Sequence, residues 1–312
     1  MKLRKKANKG KKSRVEIIAV VSFAIIALYC LSMYFVLSWA FINSIKDVKD
    51  LQGFVNVGPN YFGFPREEFK IGELVIGGYR FDNYLKAFTQ LKVTIDGGVD
   101  ILAFQMLINS LIISIGSSIV SIISHAIVAY ACARYKFRLS KLIYGTAIVV
   151  MIIPIVGSLP SSMQIMHNLR LKDTIIGYFF MKGGYTGLYF LIFYAAFKNI
   201  PYTYTEAAKI DGAGNFKIML QIIMPMARAT ISATLVLLFI NNWNDYITPM
   251  LYLPQMPTIS YGLFKMLHTP ENAVDITLHL AGCFIACVPC IILFVLFRKQ
   301  IMGNVTMGGL KG

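Results

Sequence analysis

The sequence predicts an all-α polytopic membrane protein with six transmembrane helices, and three observations carry that prediction. Hydrophobic residues make up 56% of the 312 and charged residues only 14%, an apolar share above the roughly 45 to 50% of soluble globular chains. Six windows, near residues 15 to 42, 101 to 133, 142 to 165, 173 to 198, 226 to 249 and 276 to 297, approach the ~20 apolar residues that a helix needs to cross a bilayer. The connectors between them alternate between base-rich and charge-balanced, as an even number of crossings with both ends inside requires.

Residues 1–14 hold Lys2, Arg4, Lys5, Lys6, Lys9, Lys11, Lys12 and Arg14 ahead of the first apolar run. That cluster marks a cytoplasmic N-terminus. The chain has 30 Lys and Arg against 15 Asp and Glu, a net charge of +15. Nucleic-acid binding is excluded because no aromatic-interleaved basic stripe accompanies the charge. The run 15–42 far exceeds the ~7 to 15 residues of a signal-peptide core, so it reads as a retained first helix. Residues 43–100 balance their bases with Asp47, Asp50, Glu67, Glu68, Glu73, Asp82, Asp96 and Asp100 and form an extracytoplasmic loop. A transmembrane core, 101–298, and a cytoplasmic tail, 299–312, complete the division.

Within the core, Arg134, Lys136, Arg138 and Lys141 crowd one connector without an acid, and Lys198, Lys209, Lys217 and Arg228 mark another. Both are therefore cytoplasmic, whereas 250–275 is nearly neutral and external; Arg170 and Lys172 run against the pattern. Pro154 and Pro160 interrupt the third window and Lys182-Gly183-Gly184 the fourth, and such breaks line cavities or pack on other helices. Ser110, Ser114 and Ser118, with Ser117 and Ser121, let helices approach closely in lipid. Cys30, Cys132, Cys283, Cys287 and Cys290 all fall in or beside apolar stretches and behave as small hydrophobes rather than a disulfide framework.

The cytoplasmic connector 200–225 reads as two short helices around a turn. Pro201 suits a first turn, Thr203 with Glu206 fits a capping box, and Gly212 can end the helix in the left-handed conformation. Ala207 and Ala208 give the first helix a flat surface. Phe216, Met219, Leu220 and Ile223 would line one apolar stripe on the second helix before Pro225 stops or kinks it. By its residues alone this could equally be an interfacial hairpin in which Glu206 only caps.

Glu206-Ala207-Ala208, Gly212 and Ile223-Met224-Pro225 resemble the EAA signature of binding-protein-dependent ABC transporter permeases. Asn109-Ser110, Ala129-Tyr130-Ala131 to Arg134, Trp243 to Tyr246 and the tail from Gly303 resemble its carbohydrate-uptake, MalG-like branch. The resemblance runs from about Tyr79 to the C-terminus; Thr205 and Met307 to Leu310 depart slightly from the commoner residues. It implies the type I importer permease fold, with a cytoplasmic helix-turn-helix seated on an ATPase. Glu206, Ala207, Ala208, Asp211, Gly212, Gly214 and Pro225 would form that coupling loop, Glu206 meeting a basic group. The implied partners are a second permease subunit, an ATPase dimer that binds Mg-ATP, and an extracytoplasmic solute-binding protein delivering a sugar. The location would be a bacterial or archaeal cytoplasmic membrane. No cofactor or catalysis is expected in this chain, because neither Gly10-Lys11-Lys12-Ser13 nor Gly212 to Asn215 has phosphate-loop spacing.

Asn241, Asn242, Trp243, Asn244, Asp245 and Tyr246 form the densest polar cluster in an apolar window, about 22 to 30 Å along the helix from Met226. They could contact sugar hydroxyls and stack on a ring, or serve helix packing and gating. His125 reads as a packing residue, with a proton relay the alternative. His279 and Cys287 share a face with Cys283 but stand about 12 Å apart along the axis, too far for one metal ion. Two other classes, a stand-alone secondary transporter or channel and a membrane sensor regulating an ATPase, remain open on sequence alone.

Overall fold

A computed structural model describes residues 2–53, 58–71, 74–135, 137–153, 157–268 and 275–309, with side chains described for those from 17 to 299 other than Phe69, Ile71, Leu74 and Ile76. Glu73, Lys136, Pro154, residues 269–274 of the outer connector and Leu310 to Gly312 lie outside the described residues, as do the side chains of the basic start and the tail. The chain divides into two compact units, Met1–Ala87 with Val274–Phe284, and Phe88–Ala273 with Ile285–Gly312.

In the first unit, α1 (Lys2–Ser44) runs as one helix from the basic start through the apolar stretch Ile17–Ser44. Ile17, Phe23, Leu28 and Tyr34 are exposed, as suits side chains whose solvent is lipid. The end of the helix is tied down by buried polar groups. Lys46 Nζ donates to Asn43 Oδ1 at 2.8 Å and to the Asn60 carbonyl at 2.6 Å, while Asn83 Nδ2 reaches the carbonyls of Ser44 and Lys46. Burial pushes the Lys46 ammonium below its ordinary pKa, although the nearby Asp50 carboxylate opposes this. Asp47 caps α2 (Val48–Gln52) by accepting from the Lys49 N–H. The all-α expectation needs a correction, because strands β1 (Phe69–Ile71) and β2 (Leu74–Ile76) pair antiparallel, ahead of α3 (Asn83–Gln90).

The second unit contains another antiparallel pair, β3 (Lys92–Thr94) and β4 (Asp100–Leu102). Gly97 and Gly98 both take positive φ, 97° and 77°, which is the backbone that a tight hairpin turn demands. The long α4 (Ala103–Arg134) is the central post, on which the helices Ile175–Lys182, Leu188–Asn199, Arg228–Asn244 and Ile259–His268 all pack. Its buried serines do more than save space. Ser118 Oγ accepts from Asn242 Nδ2 at 3.2 Å, and Ser110 Oγ accepts from the Ile259 N–H at 2.7 Å.

The third and fourth windows each fold as two short helices: α5 (Arg138–Ile152) and α6 (Ser158–Asn168), then α7 (Ile175–Lys182) and α8 (Leu188–Asn199). Gly157 and Gly187, at φ 84° and 86°, stand at the starts of α6 and α8. Pro160 falls in the first turn of α6, where its missing N–H costs nothing. The connector after α8 comprises α9 (Thr203–Ile210), α10 (Asn215–Ile218), a π-helical turn (Met219–Ile223) and α11 (Met224–Met226). Then follow α12 (Arg228–Asn244), α13 (Ile247–Tyr252), α14 (Ile259–His268) and α15 (Ile276–Gly309).

Among the described residues, Ile17–Ser44, Ala103–Arg134 and Ile276–Lys299 are long and apolar enough to cross a membrane as single helices. Asn215–Met226 with Arg228–Asn244 makes a fourth if the pair, bent by 77°, is one span.

Candidate functional site

The connector between α8 and α12 is anchored from below. Phe190, Phe193 and Phe197 of α8, and Tyr130 and Cys132 of α4, pack with Ala208, Ile218, Met219, Ile223 and Ala227 in one buried cluster. Taking Ile218 and Ile223 out of water contributes about 1.5 to 3 kcal/mol each. The hairpin is therefore fixed to the helices on which it sits.

Its turn is closed by backbone geometry. Gly212 has φ 78°, the Gly212 N–H donates to the Lys209 carbonyl at 3.0 Å, and the Ala213 N–H to the Ala208 carbonyl at 2.9 Å. These two bonds make a Schellman motif, with Ala213 touching the same apolar cluster as Ala208. Asp211 is the C-cap, and Gly214, in extended conformation, starts α10. The left-handed end expected at Gly212 is thus present.

Four local expectations are corrected. Thr203 is the first helical residue and Tyr202 the N-cap, with no side-chain capping bond, so no capping box forms; Glu206 lies one position too far in. Ala207 and Ala208 do not share a surface: Ala208 is buried and Ala207 exposed, because consecutive helical residues point about 100° apart. The buried stripe of the second helix is Ile218, Met219 and Ile223, while Phe216 and Leu220 are 69% and 47% exposed. The cause is the π-helical turn, which adds a residue to the repeat and brings positions five apart onto one face. Pro225 does not end the helix; the bend comes two residues later, at Ala227.

The outcome is an outward face carrying Glu206, Ala207, Ile210, Asp211 and Phe216. Ile210 is 86% exposed, and while the Glu206 N–H donates to the Tyr202 carbonyl, its carboxylate makes no hydrogen bond or ion pair among the described residues. Glu206 in the first turn and Lys209 in the last each suit the helix dipole. An apolar knob beside an unpaired carboxylate is the chemistry of a docking surface with a basic, partly apolar socket.

The polar cluster at the end of α12 is divided by the structure. Trp243 is buried, donates Nε1–H to the Ala286 carbonyl at 2.9 Å and stacks on Phe239. Asn242 is buried on Ser118, Asn244 is exposed and bonds back to the Ile240 carbonyl, and Tyr246 stacks on Phe264. Asn241 is exposed and donates to Tyr189 Oη at 2.8 Å. Asp245 pairs with Lys182 Nζ at 2.9 Å and accepts from the Thr248 N–H. Asn242, Trp243 and Tyr246 are therefore engaged in packing, Asp245 is held half-buried in its ion pair, and Asn241 and Asn244 are the exposed members.

Tyr189 and Lys182 join this constellation although the sequence marked Lys182 only as an interruption and Tyr189 not at all. Their partners lie more than 50 positions away, at a distance no local pattern encodes. His125 faces the Ser121 carbonyl through Nδ1 at 2.6 Å and the Thr186 carbonyl through Nε2 at 3.2 Å. Both carbonyls are acceptors and a neutral imidazole carries one N–H, so the ring donates to one of them, the Ser121 carbonyl at the shorter distance.

Known proteins share this architecture. Residues 123–306 match the family model described as "Binding-protein-dependent transport system inner membrane component". The permease protein AraQ of an arabinooligosaccharides transport system from Bacillus subtilis (strain 168) is 26% identical over 236 residues, covering 74% of this chain and 79% of its own. NgcG, a diacetylchitobiose uptake system permease protein of Streptomyces coelicolor, is 22% identical over 293 residues, or 93% of this chain and 88% of NgcG. The fold also superposes on a chain in the crystal structure of a bacterial ABC transporter involved in the import of the acidic polysaccharide alginate. There the TM-score is 0.70 at 20% identity, over 91% of this chain and 96% of that one. With more than half its length matched, from the second half of α4 through the connector between α8 and α12 to α15, the chain belongs to the family of inner membrane components of binding-protein-dependent transport systems.

Proposed function

We propose that this chain is the permease subunit of an ATP-driven importer that translocates a sugar, a di- or oligosaccharide, handed over by an extracytoplasmic solute-binding protein. The carrying observation is the connector between α8 and α12. It is anchored on α4 and α8, closed at Gly212, and presents Glu206 beside exposed Ile210. In a family that works with a separate ATPase, that face is the coupling surface, with Asp211, Gly214 and Pro225 shaping it. Closure of an ATPase dimer on Mg-ATP would swing this hairpin and the helices beneath it between inward-facing and outward-facing states. ATP hydrolysis belongs to the ATPase, and a second permease subunit completes the pathway. The saccharide cargoes named for AraQ and NgcG support the sugar assignment.

Six crossings with both termini cytoplasmic are part of the same proposal. Two contacts support it. The Asp173 N–H donates to the Tyr252 carbonyl at 2.9 Å, so the turn between α6 and α7 and the end of α13 share one side of the membrane. Tyr130, Cys132 and Ala208 share a cluster, so the end of α4 and the hairpin share a side as well. Each contact requires an even number of crossings between its partners. If the bent pair, whose second half is α12, crosses once, the broken stretch α7–α8 must also cross.

Glu206→Lys tests the reading directly. The substitution sits on an exposed site, so the protein should still fold and reach the membrane. Uptake with the cognate ATPase should fall by about thirtyfold or more, the worth of a reversed charge at a docked ion pair. Normal uptake, with the ATPase still co-purifying, would remove Glu206 from the coupling surface.

A further inference from the structure

A second site stands at the other corner of the hairpin. Arg134, the last residue of α4, is only 9% exposed, and its Nε and Nη2 are buried without a hydrogen-bond partner among the described residues. Those two nitrogens lie on one edge of the planar guanidinium, the fork that takes two oxygens of a single phosphate or carboxylate. A charged donor pair left unmatched in the interior is rare and calls for a ligand.

Arg134 lines a half-open cavity of about 750 Å³ together with Tyr135, Ser140, Lys141, Tyr194 and Tyr202. The lining thus offers a second cation and three tyrosine hydroxyls, the Ser140 hydroxyl being donated to the Cys132 carbonyl. No acid occurs between Arg134 and Lys141, and neither Arg138 nor Lys141, both exposed, has an acidic partner among the described residues. A net positive, hydroxyl-rich cavity selects an anion with several acceptor oxygens.

The surroundings decide which anion. Phe137, Leu139 and Leu142 beside the cavity are 38%, 60% and 61% exposed, and the apolar exposure continues along α5 through Val149, Met151 and Ile152. A ligand with a phosphate at one end and hydrocarbon at the other matches a basic cavity at the foot of an apolar helix face. We infer that this cavity binds the phosphate of an anionic phospholipid headgroup, with the acyl chains lying along α5. The site is independent of the cargo and of the coupling assignment of Glu206.

The test uses the full chain purified in detergent, with retained lipid counted by native mass spectrometry after exposure to phosphatidylglycerol, to phosphatidylcholine, and to inorganic phosphate. Phosphatidylglycerol should be retained in preference to phosphatidylcholine. Lys141→Gln, at an exposed position that leaves the packed helices intact, should lower retention about fivefold, the effect of one base near an anionic headgroup. Arg134→Gln should lower it further, and Arg134→Lys should restore part of it. Equal retention of the two lipids, or retention unchanged by both glutamine variants, would overturn the proposal. Displacement of the lipid by millimolar inorganic phosphate would overturn it by assigning the cavity to free phosphate. So would intact lipid retention with loss of the co-purifying ATPase, which would give the fork to an acidic group of that partner.

Discussion

Asn241 and Trp243 are two residues apart on α12 and have opposite surroundings. Trp243 is 2% exposed, with its only donor spent on the Ala286 carbonyl, so its ring has no free face for a sugar. Asn241 is exposed and donates to a phenol rather than to a backbone group, so its amide can exchange that partner for a hydroxyl of the cargo. Trp243→Ala should therefore lower the stability of the purified protein by about 3 kcal/mol or more, the cost of deleting a buried indole, read as a drop in Tm. Asn241→Ala should leave Tm within the range of ordinary surface substitutions and change the apparent KM for uptake. A Trp243→Ala protein with unchanged Tm and altered cargo preference would reverse the two roles. Sequence reasoning found this cluster because polar residues in an apolar run stand out, but could not sort its members. Which residue faces the neighbouring helix depends on partners such as Ser118 and Ala286, far along the chain.

Elements that end in glycine were the legible ones. Gly212 announced the Schellman turn, and the fourth window breaks after Lys182 at Gly183, whereas in the third Pro154 lies outside the described residues and Pro160 sits inside α6. The π-helical turn at Met219–Ile223 was not legible, since its residues are ordinary helix formers and only the packing of Ile218 and Ile223 against α8 shows the extra residue in the repeat. The same holds for the link between two broken elements, the end of α7 and the end of α12, made by Lys182 and Asp245 at 2.9 Å with both side chains 21% exposed. Lys182 also lies over the Tyr178 ring at 5.4 Å. Removing one partner leaves the other charge in a poorly solvated place, whereas removing both does not. Lys182→Met and Asp245→Asn should each destabilise the protein. The double variant should be milder than the sum of the two by about 1 kcal/mol, measured by thermal or denaturant unfolding in detergent. Strict additivity would show that the two charges do not interact in solution.

For the whole molecule, helix length and composition identify three crossings among the described residues, or four if the bent pair is one span, where the proposal has six. The two counts differ in where they place the turn after α6. With six crossings Leu169 is extracytoplasmic; with four, α5 to α8 dip in and return, and Leu169 is cytoplasmic. The positive-inside rule is ambiguous here, since Arg170 and Lys172 favour the inner side. Packing is less ambiguous. Met166 and Tyr178 share a buried cluster with Tyr252 and Leu253, and these belong to the connector 250–275, which carries little net charge. Backbone at membrane depth must satisfy its own hydrogen bonds, and the Asp173 N–H does so on the Tyr252 carbonyl, a bond that cannot form across a bilayer. Leu169 is 53% exposed and Ile210 is 86% exposed, so each tolerates a cysteine on a background lacking the five native ones. A membrane-impermeant maleimide added to intact cells should label Leu169→Cys, and should label Ile210→Cys only after the membrane is opened. Labelling of both only after opening would leave four crossings, with α5 to α8 entering and leaving the membrane on the ATPase side.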